Sequence, residues 1–439
     1  MKNLSHEVRR HSTPIAREIV EDSPLLVVQG ARQVGKSTLL RQTFSNDEAA
    51  FVTLDVDVER EYAQADPIGF LQQAPNKTLV IDEAQRAPNL ALAMKRVIDL
   101  DRRPGRYAIT GSTDLLTLPG VSDSLAGRAE SLRLYGLSQG ELANRSTPED
   151  WVHWILSVTS STTIDSVGEH YQHENIARPE QQRSIVIAGG YPEPLKREPG
   201  RRRDRWFSSY LERLATHDAR ELAGSSDYAE YLQPLLKILA SQGQAELVKA
   251  KVARNLGISE TALTDYLQLA ERMYLVDSIP GWGVGFTNRS VKRPKISVSD
   301  TGLAAFLSGL TVQKSLQSGG FELYGALLEA FIVGELRKQQ TWSTERYSIA
   351  HFRQRNEEID IVVELADGRV ILIEVKSSHD VDARAWKHLK TIGSQLGQRV
   401  AATVVIYLGD KALRFHDDEH TIFVLPVTSL WQHPEPRQG

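Results

Sequence analysis

The chain has 439 residues, which is too long for a single hydrophobic core. Of these residues 25% are charged and 41% hydrophobic, an ordinary globular composition. A formal net charge of −4 excludes a polycation, so nucleic acid could be contacted only through local basic patches. The lack of cysteine excludes disulfides and thiolate metal sites and favours a reducing, cytoplasmic location. No apolar run reaches membrane-spanning length and the first residues do not form a signal peptide, so we expect no membrane partner.

The first strong pattern lies at residues 25–43. Four apolar residues, 25–28, predict a buried parallel strand, and Gly-x-x-x-x-Gly-Lys-Ser follows at residues 30–37 as a complete P-loop. Its glycines let backbone N–H groups point into one concavity, Lys36 brings charge to the β- and γ-phosphates, and the Ser37 hydroxyl is a Mg²⁺ ligand. The motif therefore predicts ATP and Mg²⁺ as cofactors. The residues expected to bind them are Gly30, Ala31, Arg32, Gln33, Val34, Gly35, Lys36, Ser37, Thr38 and Asp82.

The next two predicted strands supply acidic and polar groups. After a strand at residues 50–55, an apolar strand at residues 77–83 ends in Asp82 and Glu83. Asp82 is expected to share the Mg²⁺ ion with Ser37, and Glu83 to polarise the attacking water as a general base. A strand at residues 107–112 ends in Thr110 and Ser112, and either side chain suits a sensor of the γ-phosphate or a simple strand cap.

A family resemblance begins at this point. Thr110-Gly111-Ser112, a short helix and Leu125-Ala126-Gly127-Arg128 ahead of a strand at residues 131–134 resemble AAA+ ATPases, above all ring motors such as the bacterial Holliday-junction branch-migration motor. The resemblance implies a homo-oligomer, a hexameric ring, in which Arg128 reaches the neighbouring subunit's nucleotide as an arginine finger. An ordinary surface arginine is the alternative.

A finer resemblance extends along nearly the whole chain. The segments that carry it are residues 30–38, 81–88, 110–112, 125–128 and 189–193, and they resemble prokaryotic AAA-type ATPases that carry a C-terminal domain of unknown function with nuclease-like sequence. The match is poorest over residues 147–175, a polar stretch that predicts an insertion or a mobile loop.

The middle of the chain predicts two modules. A helical lid is expected at residues 141–230, and its densest basic run either contacts phosphates or is simply solvated. The basic residues are Lys196, Arg197, Arg201, Arg202, Arg203 and Arg205. Residues 231–294 predict a winged helix-turn-helix, with a turn at Gly257 and an N-cap at Ser259.

The outward residues of the second helix of this helix-turn-helix are neutral to acidic, so we expect DNA to be contacted through the wing. The basic residues of the wing are Arg289, Lys292, Arg293 and Lys295. The alternative is a winged helix that serves only for packing.

The last module, residues 295–439, is predicted to run helix, three strands, helix, strand, the order of the restriction-endonuclease-like fold. Asp360 and Glu374 lie on adjacent strands of a predicted hairpin and can converge on one divalent ion, with Lys376 on the same face. The resemblance to Asp…Glu-x-Lys nucleases implies a metal shell of Glu329, Asp360 and Glu374, and catalysis by Asp360, Glu374 and Lys376. An ion pair between Glu374 and Lys376 is the structural alternative.

The sequence thus predicts an α/β protein with four parts: an AAA+ P-loop core at residues 1–140, the lid with its insertion, the winged helix and the nuclease-like domain. The leading hypothesis is an ATPase that couples hydrolysis to translocation or remodelling of DNA, with branched DNA suggested by the coexistence of motor-like and resolvase-like modules. The alternatives are an ATP-switched nuclease of a defence system and a regulatory ATPase that binds a protein partner.

Overall fold

The structure is a computed structural model that describes residues 7–111, 125–160, 178–219, 227–283, 293–354, 356–416 and 420–433. The chain divides into two compact units. The first contains the residues up to Leu137 together with two short later segments, Tyr191–Lys196 and Arg272–Tyr274. The second contains Ser138–Gly190, Arg197–Glu271 and the residues from Leu275 onward. No helix among the described residues has both the length and the apolar character that a membrane crossing requires.

The regular elements of the described residues are numbered in chain order. The helices are α1 Thr13–Asp22, α2 Lys36–Thr43, α3 Asp57–Ala65, α4 Pro67–Gln72, α5 Leu90–Leu100, α6 Gln139–Leu142, α7 Trp151–Ser160, α8 Pro179–Ala188, α9 Pro192–Leu195, α10 Arg201–Arg213, α11 Asp227–Gln242, α12 Lys249–Leu256, α13 Glu260–Arg272, α14 Thr301–Ser308, α15 Gly320–Gln340, α16 Lys387–Leu396 and α17 Ser429–Gln432. The strands are β1 Leu25–Gln29, β2 Ala49–Thr53, β3 Thr78–Asp82, β4 Tyr107–Gly111, β5 Ala129–Arg133, β6 Ala245–Glu246, β7 Val276–Ile279, β8 Lys295–Val298, β9 Tyr347–Gln354, β10 Glu357–Leu365, β11 Val370–Lys376, β12 Val400–Tyr407, β13 Leu413–His416 and β14 Thr421–Pro426.

The first unit is built on a parallel sheet of five strands in the order β2-β3-β4-β1-β5. Every residue of β1 and β4 is buried, as expected for strands in the middle of a sheet covered on both faces. Side chains of α4 and α5 pack with those of β1, β3 and β4 in one core. The parallel α/β sheet predicted from the sequence is confirmed, and its order places β4 between the P-loop strand β1 and the acidic strand β3.

The second unit contains a small antiparallel sheet in the order β6-β8-β7, with α11, α12 and α13 beside it in sequence. Gly257, with φ 69°, ends α12, and the Ser259 hydroxyl accepts the backbone N–H of Ala262 at 3.1 Å at the start of α13. Lys295 opens the central strand β8 and is only 3% exposed. The expectation that Lys295 contacts DNA was therefore wrong, because its side chain is buried. Arg289 and Lys292 lie outside the described residues.

The second unit also contains a six-stranded sheet in the order β13-β14-β12-β11-β10-β9. Strands β9, β10 and β11 form an antiparallel meander, and β12 then pairs with β11 in parallel after the crossover through α16. Long helix α15 precedes β9, so the chain runs helix, three strands, helix, strand, in the predicted order. Leu372, Val405 and Leu389 belong to the core that joins this sheet to α16.

The polar stretch around residue 150 begins with a helix and not with a mobile loop. We expected an insertion or a mobile loop over residues 147–175, but α7 begins at Trp151, and Trp151, Val152 and Ile155 are at most 1% exposed. The Trp151 backbone N–H donates to the Gln339 side chain at 2.8 Å. Apolar residues at helical spacing thus anchor the first part of this stretch, whereas residues 161–177 lie outside the described residues.

Candidate functional site

The P-loop joins β1 to α2 in the first unit. Gly30 has φ 151°, and a Cβ there would lie 2.1 Å from the carbonyl oxygen of Leu134, so only glycine fits. Gly35, with φ 101°, leads into α2. The Lys36 ammonium donates to the carbonyl oxygens of Gly30 at 2.9 Å and Ala31 at 3.0 Å. The loop therefore holds its own lysine on neutral carbonyl oxygens, which a more strongly charged ligand can replace.

Acidic and hydroxyl side chains meet the P-loop at the carboxyl ends of β3 and β4. The Ser37 hydroxyl donates to Asp82 Oδ2 at 2.7 Å, and the Thr110 hydroxyl donates to the other oxygen of the same carboxylate. Thr110 also accepts the backbone N–H of Glu83 at 3.2 Å. Because β4 lies beside β3, one hydroxyl thus fixes both acidic residues. Of the two sensor candidates, Thr110 lies at this site, whereas Ser112 falls outside the described residues.

Glu83 has an unusual backbone conformation, with φ 57° and ψ 43°. A non-glycine residue in this left-handed region is uncommon and costs conformational energy that surrounding contacts must offset. The Gln85 side-chain amide donates to one Glu83 carboxylate oxygen, and the Glu83 N–H is held by Thr110. This bent backbone turns the carboxylate away from the strand and towards the cavity described next.

A cavity of about 530 Å³ opens at this edge of the sheet. Its size lies within the range of about 300–1,000 Å³ that is usual for small-ligand sites. The P-loop, Asp82 and Glu83 form one part of its wall. The remaining wall residues are Glu7, Val8, Arg10, Asp55, Leu137, Pro192, Glu193 and Lys196. A hydroxyl and a carboxylate in contact beside the P-loop fit the oxygen ligands that Mg²⁺ requires, so Ser37 and Asp82 are the residues that would hold it.

Two further basic residues lie on the cavity wall. Arg10 was not predicted as a site residue. It is 3% exposed and donates to the carbonyl oxygens of Val34 at 2.7 Å and Tyr135 at 2.8 Å, so it holds the middle of the P-loop in place. Lys196, the first residue of the basic run for which phosphate contact was one interpretation, pairs with Glu193 at 2.6 Å just after α9. Arg10 lies outside the P-loop pattern, and its long sequence separation from that pattern left no local signal.

Arg128 lies away from this cavity. Its guanidinium pairs with both oxygens of Asp99, at 2.8 and 2.9 Å, at the end of α5. The next residue, Ala129, pairs with Leu25 at the start of β1, whereas the P-loop follows the end of that strand. A five-residue strand is about 16 Å long, so Arg128 stands at the opposite edge of the sheet from its own P-loop.

A second group of charged side chains lies in the second unit, on α15, β8, β10 and β11. Asp360 accepts the Val375 backbone N–H at 2.8 Å, and Lys376 Nζ lies 3.3 Å from Glu374. Sequence reasoning missed Lys295, whose ammonium lies 2.7 Å from Glu329 and 3.3 Å from Glu358. Among the described residues, no group of three or more histidine or acidic side chains is arranged to hold a metal ion. Glu329, Asp360 and Glu374, the residues expected to form a metal shell, are thus not found together in such a group.

Burial and charge oppose each other in this cluster. Burial alone would lower the pKa of Lys295, but the carboxylates of Glu329, Asp360 and Glu358 outweigh it and raise that pKa above its usual value. Burial and the Asp360 charge raise the pKa of Glu329, while the Lys295 ammonium acts in the opposite direction and favours the ionised carboxylate. We therefore assign an ion pair between Lys295 and Glu329, because the three carboxylates keep the Lys295 ammonium protonated. Burial, followed by Asp360, also raises the pKa of Glu374.

Comparison with known proteins separates the chain into three parts. Residues 22–143 match a protein-family model described as an AAA domain. This part of the chain is therefore similar to AAA domains. Residues 179–314 and 324–430 match models described as domains of unknown function, DUF8612 and DUF4143. The P-loop, Asp82 and Glu83 thus fall within the first match, while the charged cluster falls mainly within the last.

Relatives along the whole chain are distant. Two uncharacterized proteins, from Mycobacterium bovis and Mycobacterium tuberculosis, are each 24% identical over 425 residues, which is 96% of this chain and 84% of the relative. A Walker-type ATPase of Pyrococcus abyssi aligns with 68% of this chain and 95% of its own at 14% identity and a TM-score of 0.42. A signal-transduction STAND ATPase with a tetratricopeptide repeat sensor, from Pyrococcus horikoshii, aligns with 76% of this chain and 46% of its own at 13% identity and a TM-score of 0.24.

Proposed function

We propose that the chain hydrolyses ATP at the P-loop and uses the hydrolysis cycle to move or remodel DNA. The observation that carries the ATPase part is the line of side chains from Ser37 through Asp82 to Thr110, which ends at Glu83 on the wall of the P-loop cavity. P-loop hydrolysis requires a turn that binds phosphates, a carboxylate that holds the metal and a second carboxylate that activates the attacking water.

Each residue of this line has a distinct role in the proposal. Lys36 leaves the carbonyl oxygens of its own loop and donates to the β- and γ-phosphates, while the loop's N–H groups bind the same phosphates. Mg²⁺ bound with ATP neutralises phosphate charge, and Ser37 and Asp82 would hold it. Glu83 accepts a proton from the attacking water. Thr110 holds the Asp82 carboxylate and the Glu83 backbone N–H, and Arg10 keeps the loop in its binding conformation.

Glu83→Gln tests this assignment, because it keeps the size and the hydrogen-bonding capacity of the side chain but removes the base. We expect turnover by the full-length protein to fall by about 10²- to 10⁴-fold while ATP still binds. The matched control is Glu61→Gln, at an exposed position on α3. Normal turnover in the Glu83 variant would exclude Glu83 as the base, and loss of ATP binding would show that the change had damaged the site.

The first turn of α10 supports DNA as the partner. Arg201, Arg202 and Arg205 are exposed, and no described residue forms an ion pair or a hydrogen bond with any of their side chains. Arginines near a helix N-terminus oppose the helix dipole and repel one another. Binding of a polyanion such as a phosphate backbone would offset both of these unfavourable interactions.

The helix-turn-helix favours backbone contact over base reading. Exposed residues of α13 include Glu260, Asp265 and Glu271, which would repel phosphates. The exposed residues of α12 include Lys249, Lys251 and Arg254 instead. Phosphate contacts position a protein on DNA without reading its sequence, so we expect recognition of DNA structure rather than of base sequence.

Turnover measured with single-stranded, duplex, forked and four-way DNA tests the partner directly. We expect one of these DNA structures to stimulate ATP turnover. In a separate binding measurement, replacing the three α10 arginines by alanine should reduce the slope of log DNA affinity against log salt concentration by about 2 to 3. The control removes the same charge elsewhere, as Arg384→Ala, Lys387→Ala and Lys411→Ala. No stimulation by any DNA would favour the alternative of a regulatory ATPase that binds a protein partner.

The proposal includes a ring in which Arg128 acts on the neighbouring subunit's nucleotide. Its position at the opposite edge of the sheet from its own P-loop supports action between subunits, and Asp99 would have to release it. Arg128→Ala should lose hydrolysis but keep ATP binding, and mixing it with Glu83→Gln subunits should restore part of the turnover. Normal turnover of the Arg128 variant alone would exclude this role.

A second candidate is an ATP-switched nuclease, in which Asp360, Glu374 and Lys376 cleave DNA. The contact of Lys376 with Glu374 and the position of Asp360 at the same end of β11 favour it. The missing metal shell opposes it, so we derive no metal-dependent step there. Asp360→Ala should remove any cleavage seen in the DNA panel, and cleavage that survives would assign the activity to another site or to a contaminant.

A further inference from the structure

The strand β8 brings an ammonium group into the carboxylates of α15 and β10. Lys295 has a side-chain exposure of 4%, and Glu329 one of 11%. The two groups lie 2.7 Å apart, and Glu358 lies 3.3 Å from the same nitrogen. Removing one member of such a buried pair leaves an uncompensated charge away from water, so each member depends on the other.

Each carboxylate of this cluster already faces at least one donor from the protein. Glu329 and Glu358 face Lys295, Asp360 accepts the backbone N–H of Val375, and Glu374 faces Lys376. A Mg²⁺ ion needs about six oxygen ligands at roughly 2.0–2.1 Å. An ammonium nitrogen 2.7 Å from Glu329 occupies the space beside that carboxylate, so the metal and Lys295 cannot both use it.

A second buried ion pair joins another strand of the small sheet, β7, to the same helix α15. Arg337, eight residues after Glu329 on α15, pairs with Asp277 of β7 at 2.8 Å and donates to the Ser278 carbonyl oxygen at 2.6 Å. The small sheet thus presents a lysine and an aspartate, and α15 presents a glutamate and an arginine. The two ion pairs have opposite polarity at two points along α15, so they fix a single register between this helix and the small sheet. A shift of the helix along the sheet would place like charges together.

We propose that Lys295 is the permanent cation of this cluster, and that the cluster is an ionic lock that fastens β8 to α15 and β10 without a metal ion. The ammonium takes the place that a divalent ion would hold in a nuclease site. The small sheet and the six-stranded sheet consequently behave as one folding block. The second unit unfolds as a whole rather than as a separate winged helix and a separate C-terminal domain.

Metal binding and stability test the proposal in the full-length, nucleotide-free protein carrying Asp82→Asn, which removes the P-loop metal ligand. Free Mn²⁺ is counted by electron paramagnetic resonance, and thermal unfolding is followed in EDTA and in Mn²⁺. We expect no bound Mn²⁺ and the same Tm in both solutions. One Mn²⁺ per chain that Asp360→Asn abolishes would overturn the proposal.

Lys295→Met removes the charge at similar length and should lower the Tm of the second unit by about 5–10 °C. The control is Lys411→Met, an exposed lysine of the same unit. A Lys295 variant as stable as this control would also overturn the lock. If Lys295→Met does not fold, Lys295→Arg keeps the charge and should fold, and failure of both would leave the Mn²⁺ count to decide.

Discussion

Two buried lysines of this chain contact oxygen atoms in different ways. Lys36 donates to two neutral backbone carbonyls on the wall of an open cavity, whereas Lys295 lies between ionised side chains in the interior of the second unit. A charged acceptor attracts an ammonium more strongly than a neutral carbonyl does, because Coulomb attraction is added to the hydrogen bond. Phosphates can therefore displace the carbonyl partners of Lys36, while nothing of comparable charge reaches Lys295. In our proposals, the same residue type serves ligand binding in one unit and fixed packing in the other.

The largest expected effect comes from removing the Lys36 ammonium, whose carbonyl partners phosphates can displace. Lys36→Met should reduce ATP turnover by at least about 10²-fold, because the phosphates lose their point charge. Its Tm without nucleotide should change little, since each lost bond to a carbonyl is worth about 1 kcal/mol. Lys77→Met is the matched control, because Lys77 also donates to a backbone carbonyl, that of Asn46 at 2.9 Å, but is exposed. A large loss of stability would remove the contrast with Lys295.

Arg10→Met sharpens the same comparison at a residue that holds the P-loop but is not expected to bind phosphate. Losing its bonds to Val34 and Tyr135 loosens the loop, so we expect the KM for ATP to rise about 10-fold with a smaller change in kcat. Steady-state kinetics of Arg10→Met and of the exposed control Arg17→Met measure this. An equal fall in kcat with an unchanged KM would instead assign Arg10 to the transition state.

The smallest expected effect is a pH dependence of the second unit. Burial lowers the pKa of His351, despite its hydrogen bond to the Arg293 carbonyl oxygen at 3.0 Å, with Lys295, Glu246 and Glu358 as the nearby charges. Its Nδ1 has no hydrogen-bond partner among the described residues, so a second ring proton would be buried unpaired. The unfolded chain takes up this proton below about pH 6.5.

The contribution of His351 to the free energy of unfolding is therefore fully present above about pH 6.5. It is lost as the pH falls below that value, by at most about 1.4 kcal/mol per pH unit. Thermal unfolding between pH 7.5 and 5 measures it. His351→Gln should flatten the slope, whereas His379→Gln, at an exposed ring that also contacts a carbonyl, should not. Equal slopes in all three proteins would contradict the assignment.

The ATPase sheet could be predicted because its signals are local. The P-loop spacing, the apolar run before Asp82 and the alternation of strands and helices each lie within a short window. Parallel strands gather their carboxyl ends at one edge, so the meeting of Ser37 with Asp82 follows from these windows alone. The C-terminal strand order was predictable for the same reason.

Contacts between distant segments could not be predicted. Arg10 reaches a carbonyl 125 residues away, and Lys295 reaches a glutamate 34 residues away. Single-sequence reasoning assigned Lys295 to solvent and to DNA because lysine is rarely buried unless it is paired, and the pairing is a tertiary event. For the same reason, the sequence shows the carboxylates of the expected metal shell but not the ammonium that lies beside Glu329.

The path of the chain has a consequence for biosynthesis. Tyr274, far along the sequence, donates its hydroxyl to Gln29 at 3.1 Å at the end of β1 and belongs to the first unit, as do Glu193 and Lys196 of the cavity wall. N-terminal domains usually fold first as they leave the ribosome. Here that order is blocked, because the nucleotide cavity lacks part of its wall until residue 196 emerges and the β1 contact waits for residue 274. We therefore expect a nascent chain to gain ATP affinity late, after the segments that the ATP cycle would drive have begun to form.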